Sequence, residues 1–166
     1  MKLYIKQKLF SFKDRFTIKD EHQNDVLQVE GKLFSFGKQL SVSTMDMQEV
    51  AFVKQKVFNF LPTFEISLQD QVHTLKKQFS FFKPVYQIPS LGLRIEGNFT
   101  AHHYSIYKEG DVLANISKAF FSFADSYEVD ILNDQDRDMV IAVVLAIDAV
   151  LDMERSSSVN VSTNNR

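Results

Sequence analysis

The chain has 166 residues, 45% hydrophobic and 24% charged, with sixteen Phe, five Tyr and no Trp. That length and aromatic content suit one domain with a substantial core and exclude a disordered chain. There is no cysteine and the formal charge is −2, which excludes disulfides, thiolate metal sites and a cysteine nucleophile.

Twelve short alternating segments run in order through the first 131 residues. The first four fall near Leu3–Gln7, Arg15–Asp20, Val26–Leu33 and Gln39–Thr44. Four more fall near Glu49–Val57, Thr63–Leu68, Thr74–Phe79 and Val85–Ile88, and the last four near Leu93–Phe99, Tyr104–Lys108, Leu113–Lys118 and Tyr127–Ile131. Polar turns such as Asp20–Asp25, Gln69–Gln71 and Glu109-Gly110-Asp111 join several of them, and such short links favour antiparallel neighbours.

The twelve segments fall into three repeats. Lys6-Gln7-Lys8-Leu9-Phe10-Ser11-Phe12 returns 48 residues later as Lys54-Gln55-Lys56-Val57-Phe58-Asn59-Phe60, and Phe16-Thr17-Ile18 returns as Phe64-Glu65-Ile66. Phe34-Ser35-Phe36 recurs as Phe79-Ser80-Phe81 and as Phe121-Ser122-Phe123. A set of matches in consistent order marks a repeated supersecondary unit.

Asp138 to Met153 then reads D-M-V-I-A-V-V-L-A-I-D-A-V-L-D-M, apolar on nearly every side. It is too long for one strand and does not alternate. Ala142, Ala146 and Ala149 share one helical face, Asn133 or Asp134 can cap the start, and Asp134, Asp136 and Asp138 suit the positive end of the dipole. The expected helix runs from about Asp134 to Glu154. The uninterrupted apolar run, Met139 to Ile147, has nine residues, short of the roughly 20 a bilayer span needs.

A helix apolar all round must be surrounded. Twelve strands make a barrel too wide to fill with its own side chains, since about eight already reach that limit. The expected fold is therefore mainly β, a closed antiparallel barrel of about twelve strands enclosing one central hydrophobic C-terminal helix. One domain spans 1–154, and 155–166 is expected to be a flexible polar tail.

The opening M-K-L-Y-I-K-Q-K-L-F-S-F-K-D-R-F-T-I, the segment V-E-G-K-L-F-S-F and the apolar helix resemble the LURP-one-related family. The stretch from Leu40 to Val50 resembles that family's strand, acidic turn and returning strand. The resemblance covers residues 1 to about 154. It places the chain in the tubby carboxy-terminal-like superfamily, with phospholipid scramblases as further relatives. It implies the same helix-filled barrel of twelve strands and no particular activity.

Catalytic and metal signatures are sparse. His22, His73, His102 and His103 show no zinc spacing and are expected at the surface or in turns. No G-x-S-x-G occurs, and the glycines form no phosphate loop but suit turns or bulges, as in the similar segments around Gly31 and Gly97. The run Asp134, Asp136, Asp138 lacks the Gly and final Glu of a calcium loop. Asp148 interrupts the buried run and is expected either near a solvated barrel mouth or paired with a barrel Lys or Gln.

Charge offers a better lead. Residues 1–94 carry 14 Lys+Arg against 9 Asp+Glu, whereas residues 95–166 carry 5 against 12. Lys6, Lys8, Lys13, Arg15, Lys54, Lys56, Lys76 and Lys77 are the candidate residues for binding an anion or a lipid headgroup, although outward strand positions are also where lysines ordinarily go. With a pI near 6.1 and no recognition motif, nucleic acid is not an expected partner.

The expected function is non-enzymatic binding of an anionic phospholipid headgroup through the lysine-bearing strands; the alternative is a protein-interaction scaffold without lipid affinity. No cofactor is expected. The opening residues lack a continuous apolar stretch of the signal-peptide kind, so the expected location is cytoplasmic, peripheral to a membrane.

Overall fold

Alternation of apolar and polar residues builds the wall. In a computed structural model of the chain, residues 1–6, 15–34, 37–78, 83–119 and 126–163 are described, with the backbone alone for 34 and 157–163. The strands are β1 (Lys2–Lys6), β2 (Arg15–Asp20), β3 (Asp25–Phe34), β4 (Gly37–Thr44), β5 (Glu49–Gln55) and β6 (Thr63–Leu68). They continue as β7 (Gln71–Gln78), β8 (Val85–Ile88), β9 (Leu93–Asn98), β10 (His103–Lys108), β11 (Asp111–Lys118) and β12 (Ser126–Ile131). Leu3 and Ile5, Leu27 and Val29, and Ile95 point inward and are buried, while their immediate neighbours along each strand point out.

Each strand pairs antiparallel with its neighbours in sequence, and β1 closes the ring against β12. The closing register sets Leu3 opposite Val129 and Ile5 opposite Tyr127. The terminal amine of Met1 donates to the Ile131 carbonyl at 2.8 Å and pairs with Asp134 at 2.9 Å, fixing that seam. Closure leaves no unpaired sheet edge.

Inside runs α1, Arg137–Thr163. Asn133 Oδ1 accepts from the Gln135 amide at 3.2 Å, and a 3₁₀ turn, Asp134–Asp136, leads into the helix. From Val140 to Leu151 every residue is buried, and all but Asp148 are apolar. The twelve-strand barrel and its buried helix follow the expectation. The helix runs past its expected end near Glu154: helical backbone continues to Thr163, through residues expected to form a flexible polar tail. No Gly or Pro lies between Glu154 and Thr163, so nothing in that stretch breaks the helix, and the serines and valines cost only fractions of a kcal/mol each in propensity, about 0.7 at most.

The helix enters the barrel beside the start of β1 and the end of β12, here called the entry rim. It leaves at the exit rim, where odd strands end and even strands begin. At the exit rim Lys38 pairs with Asp152, Gln55 Nε2 reaches Met153 Sδ at 2.9 Å, and Lys77 pairs with Glu154 at 2.5 Å. These contacts tie the exiting helix to β4, β5 and β7.

Gly97 shapes one side of this rim. Its φ is +144°, and a Cβ there would lie 2.5 Å from Tyr104 Cα. The missing side chain lets the β9–β10 turn fold inward, burying Phe99 and His102. Both glycines were expected in turns or bulges, yet Gly97 lies in the β9–β10 ladder opposite Tyr104 and Gly31 in the β3–β4 ladder opposite Leu40. Gly97→Ala must both strain the backbone and displace Tyr104, so we expect a loss of about 2 kcal/mol or more in chemical denaturation. An unchanged midpoint would contradict the close approach.

Candidate functional site: a basic groove under an exposed phenylalanine turn

Among the described residues, two aromatic turns of the exit rim are treated in opposite ways. At the β9–β10 turn, Phe99 meets Tyr86 edge-on at 4.9 Å and Tyr104 at 5.0 Å, while His102 stacks on Tyr127 at 4.5 Å. At the β5–β6 turn, Phe58 and Phe60 are 98% and 93% exposed. The hairpin root below them is firm. The Lys56 amide donates to the Thr63 carbonyl at 2.9 Å, and Thr63 Oγ1 donates to the Leu61 carbonyl at 2.9 Å.

Below that turn lies a groove of about 300 Å³, lined by Lys54, Gln55, Lys56, Val57, Phe58, Asn59 and Glu65. Alternation on β5 explains the lysines: Ala51 and Val53 face the core, so Lys54 and Lys56 face out. Lys56 pairs with Glu65 at 2.8 Å. Lys54 and Lys76 are exposed and form no ion pair among the described residues. Thr63 of β6 lies opposite Lys76 and Glu65 opposite Lys54, so these lysines flank one strand. The groove thus offers ammonium groups, one carboxylate and one aromatic ring, that of Phe58, a composition suited to a phosphate-bearing group with an apolar portion.

The other predicted residues divide. Lys6 and Arg15 line a separate cleft of about 180 Å³ with Tyr4, Thr17 and Lys19. It lies between β1 and β2, the counterpart of β5 and β6 at the 48-residue offset, and Arg15 pairs with Glu30 at 3.1 Å. Lys77 turns inward to Glu154, with Nζ 5.9 Å from the Tyr86 ring centre, and so stands apart from the outward lysines. Lys8 and Lys13 lie outside the described residues. Sequence reasoning named Phe58 and Phe60 only as part of the repeated segment, and a place in a turn ending at Pro62 does not by itself separate an outward ring from an inward one such as Phe99.

A second polar cluster lies inside. Asp148 is buried, not at a solvated mouth, and its partner is a phenol, not a Lys or Gln: the Tyr127 hydroxyl donates to Asp148 Oδ2. His102 Nδ1 is 3.9 Å from Asp148 Oδ1. Burial pushes the Asp148 carboxyl up to about 7, opposed by the Tyr127 hydrogen bond and the charge of Arg155. Burial also holds His102 below the usual imidazole range, helped by Arg155 and Lys118, and holds the Tyr104 and Tyr127 phenols well above theirs. His102, expected at the surface or in a turn, lies in a turn but is buried, and His73 is also buried, with Nδ1 2.9 Å from Ser90 Oγ. His73 shares the inward parity of Leu75 in β7, a signal lost because the expected strand began at Thr74, whereas His102 lies in a turn, where period-two reasoning gives no burial signal.

A further surface cleft, about 540 Å³, lies over β9 to β11 and is lined by residues including Lys83, Glu96, His103, Ser105 and Asn115. Ser105 donates to Asn115 Oδ1 at 2.7 Å within it. Among the described residues, no group of three or more His, Cys, Asp or Glu is arranged to hold a metal, and no helix is long and apolar enough to cross a bilayer.

A model of the LURP-one-related family matches residues 1–148. The uncharacterized protein YxjI of Bacillus subtilis (strain 168) is 31% identical over 160 residues, covering 96% of this chain and 99% of that protein. Among solved structures, a protein from Arabidopsis thaliana superposes with a TM-score of 0.58 at 11% identity, over 86% of this chain and 88% of that one. The last likeness concerns the fold alone.

Proposed function

The chain belongs to the LURP-one-related family, and from that premise we propose a non-enzymatic, peripheral cytoplasmic protein that holds an anionic phospholipid headgroup in the Lys54–Lys56 groove. The observation that carries this reading is the excess of ammonium groups over carboxylates on one wall. Glu65 answers Lys56, while Lys54 and Lys76 remain exposed beside it. Two exposed ammonium groups attract a phosphodiester through several ångströms of water, and salt weakens that attraction.

Sedimentation with phosphatidylcholine vesicles containing phosphatidylserine or a phosphoinositide, across a salt series, tests it. Binding should appear at low salt and fade as salt rises. A basic residue near an anionic surface contributes about 1 kcal/mol. Lys54→Gln with Lys76→Gln should therefore weaken binding about thirtyfold, without changing the melting temperature. Vesicle binding unaffected by these changes would move the site elsewhere. No binding at low salt would end the headgroup reading and leave the scaffold.

A further inference from the structure

We propose that the β5–β6 turn is a membrane wedge, in which Phe58 and Phe60 enter the outer acyl region of an anionic leaflet while Lys54 and Lys56 stay at headgroup level. This rests on the headgroup reading and adds what that reading lacks: insertion, depth and orientation of the barrel.

Exposure alone does not single out this turn. Met47, Val72 and Leu132 near the entry rim are 64%, 61% and 60% exposed. Charge separates the two ends. The entry rim carries Asp20, Glu21, Asp46, Asp70, Glu109 and Asp134 against Lys2, Lys19 and Lys108, an acidic excess that an anionic surface repels. The exit rim carries Lys6, Arg15, Lys54, Lys56 and Lys76 at its strand ends, while its Glu65, Asp152 and Glu154 are answered by Lys56, Lys38 and Lys77, a basic excess that the same surface attracts. Apolar side chains and favourable charge coincide at the exit rim.

The neighbouring turn gives a second argument. The same rim buries Phe99 to 2% exposure using the space opened by Gly97, so the barrel end can receive an inward aromatic turn. The β5–β6 turn points the other way, on a root fixed by the Lys56–Thr63 hydrogen bond and by Val57, whose Cγ1 lies 2.7 Å from where a Gly37 Cβ would be. A rigid root holds the two rings outward before any partner arrives, which limits the ordering cost of insertion. Phe58 lies two residues beyond Lys56 in a turn, so its backbone stands at most about 7 Å further along the chain. The polar zone of one leaflet is roughly 5–8 Å deep. A ring carried outward by that turn approaches the acyl boundary while the ammonium stays among phosphates.

The chain has no Trp, so Phe58→Trp supplies a single fluorescent reporter. With phosphatidylserine vesicles its emission should shift to the blue and be quenched by lipids brominated near the carbonyl end of the acyl chain. Phe58→Ser with Phe60→Ser should keep the wild-type melting temperature, since both rings are exposed, yet weaken vesicle binding about a hundredfold. Salt-sensitive vesicle binding with an unquenched reporter and an unimpaired double-serine variant overturns the wedge and leaves the headgroup site standing. No vesicle binding by the wild type overturns both. A reporter already shielded without vesicles, in a protein that sediments as a dimer lost on Phe58→Ser, overturns the wedge by making the turn an interface between copies.

Discussion

Leu145→Asp will leave the chain without a cooperative melting transition, and Leu145→Ala will lower its unfolding free energy by about 2–5 kcal/mol. Leu145 is wholly buried at the middle of the buried stretch of α1, Val140 to Leu151. The helix crosses the lumen with its whole circumference against the wall, so no rotation can carry a carboxylate to water. An unpaired buried charge costs several kcal/mol even after relaxation, against a total stability of about 5–15 kcal/mol for a domain. The alanine variant loses buried methyl groups and leaves a cavity, because the helix is held on every side and cannot collapse into the gap. Circular dichroism during heating, with size-exclusion chromatography, checks both. A soluble, cooperatively melting Leu145→Asp monomer would show that the helix is not the core.

Asp148→Asn will change stability in a pH-dependent way, and the sign is unusual for a carboxylate. The unfolded carboxyl titrates near 3.9, whereas burial raises the folded one to about 7. Below about pH 4 it is protonated in both states and carries no penalty. Between those values the folded state holds an extra proton, so stability falls as pH rises, and the loss is complete above pH 7. Three units at about 1.4 kcal/mol each give about 4 kcal/mol. Asparagine keeps an acceptor for Tyr127 and cannot ionise. The mutant-minus-wild-type difference should therefore grow in the mutant's favour by about 4 kcal/mol between pH 4 and pH 8.

His102 runs oppositely. Its folded pKa is lowered, so stability from keeping it neutral is lost as pH falls below about 6.5. Because His102 is present in both proteins, the subtraction removes most of its contribution. Denaturant titrations at pH 4.5, 6 and 8 measure the difference, and a flat difference would contradict a buried ionisable carboxyl.

The wall was legible because each strand needs only one inward apolar row. Leu3 with Ile5, and Val29 with Leu27, declare it at period two. The helix was legible for the opposite reason, since Met139 to Ile147 offers no polar face to water. What stayed hidden depends on contacts between distant residues. Asp148 meets Tyr127 across 21 positions and lies beside His102; no spacing along the chain announces that triangle. Lys38 and Lys77 look like surface lysines but share the inward parity of Leu40 and Leu75. Both lie where the helix presents Asp152 and Glu154, so strand parity combined with the helix charges would have found them. Of the candidate lysines, Lys54 and Lys56 were placed by alternation, while the exposed rings above them needed coordinates.

The order of the chain sets a constraint on its synthesis. All twelve staves of the barrel leave the ribosome before the rod they are wrapped around, so the growing polypeptide carries a row of inward-facing side chains with nothing yet to cover them. Completion must then wait until translation has passed Leu151. A growing chain of this design is most vulnerable until that point is passed, and dependence on holding chaperones is expected to concentrate there.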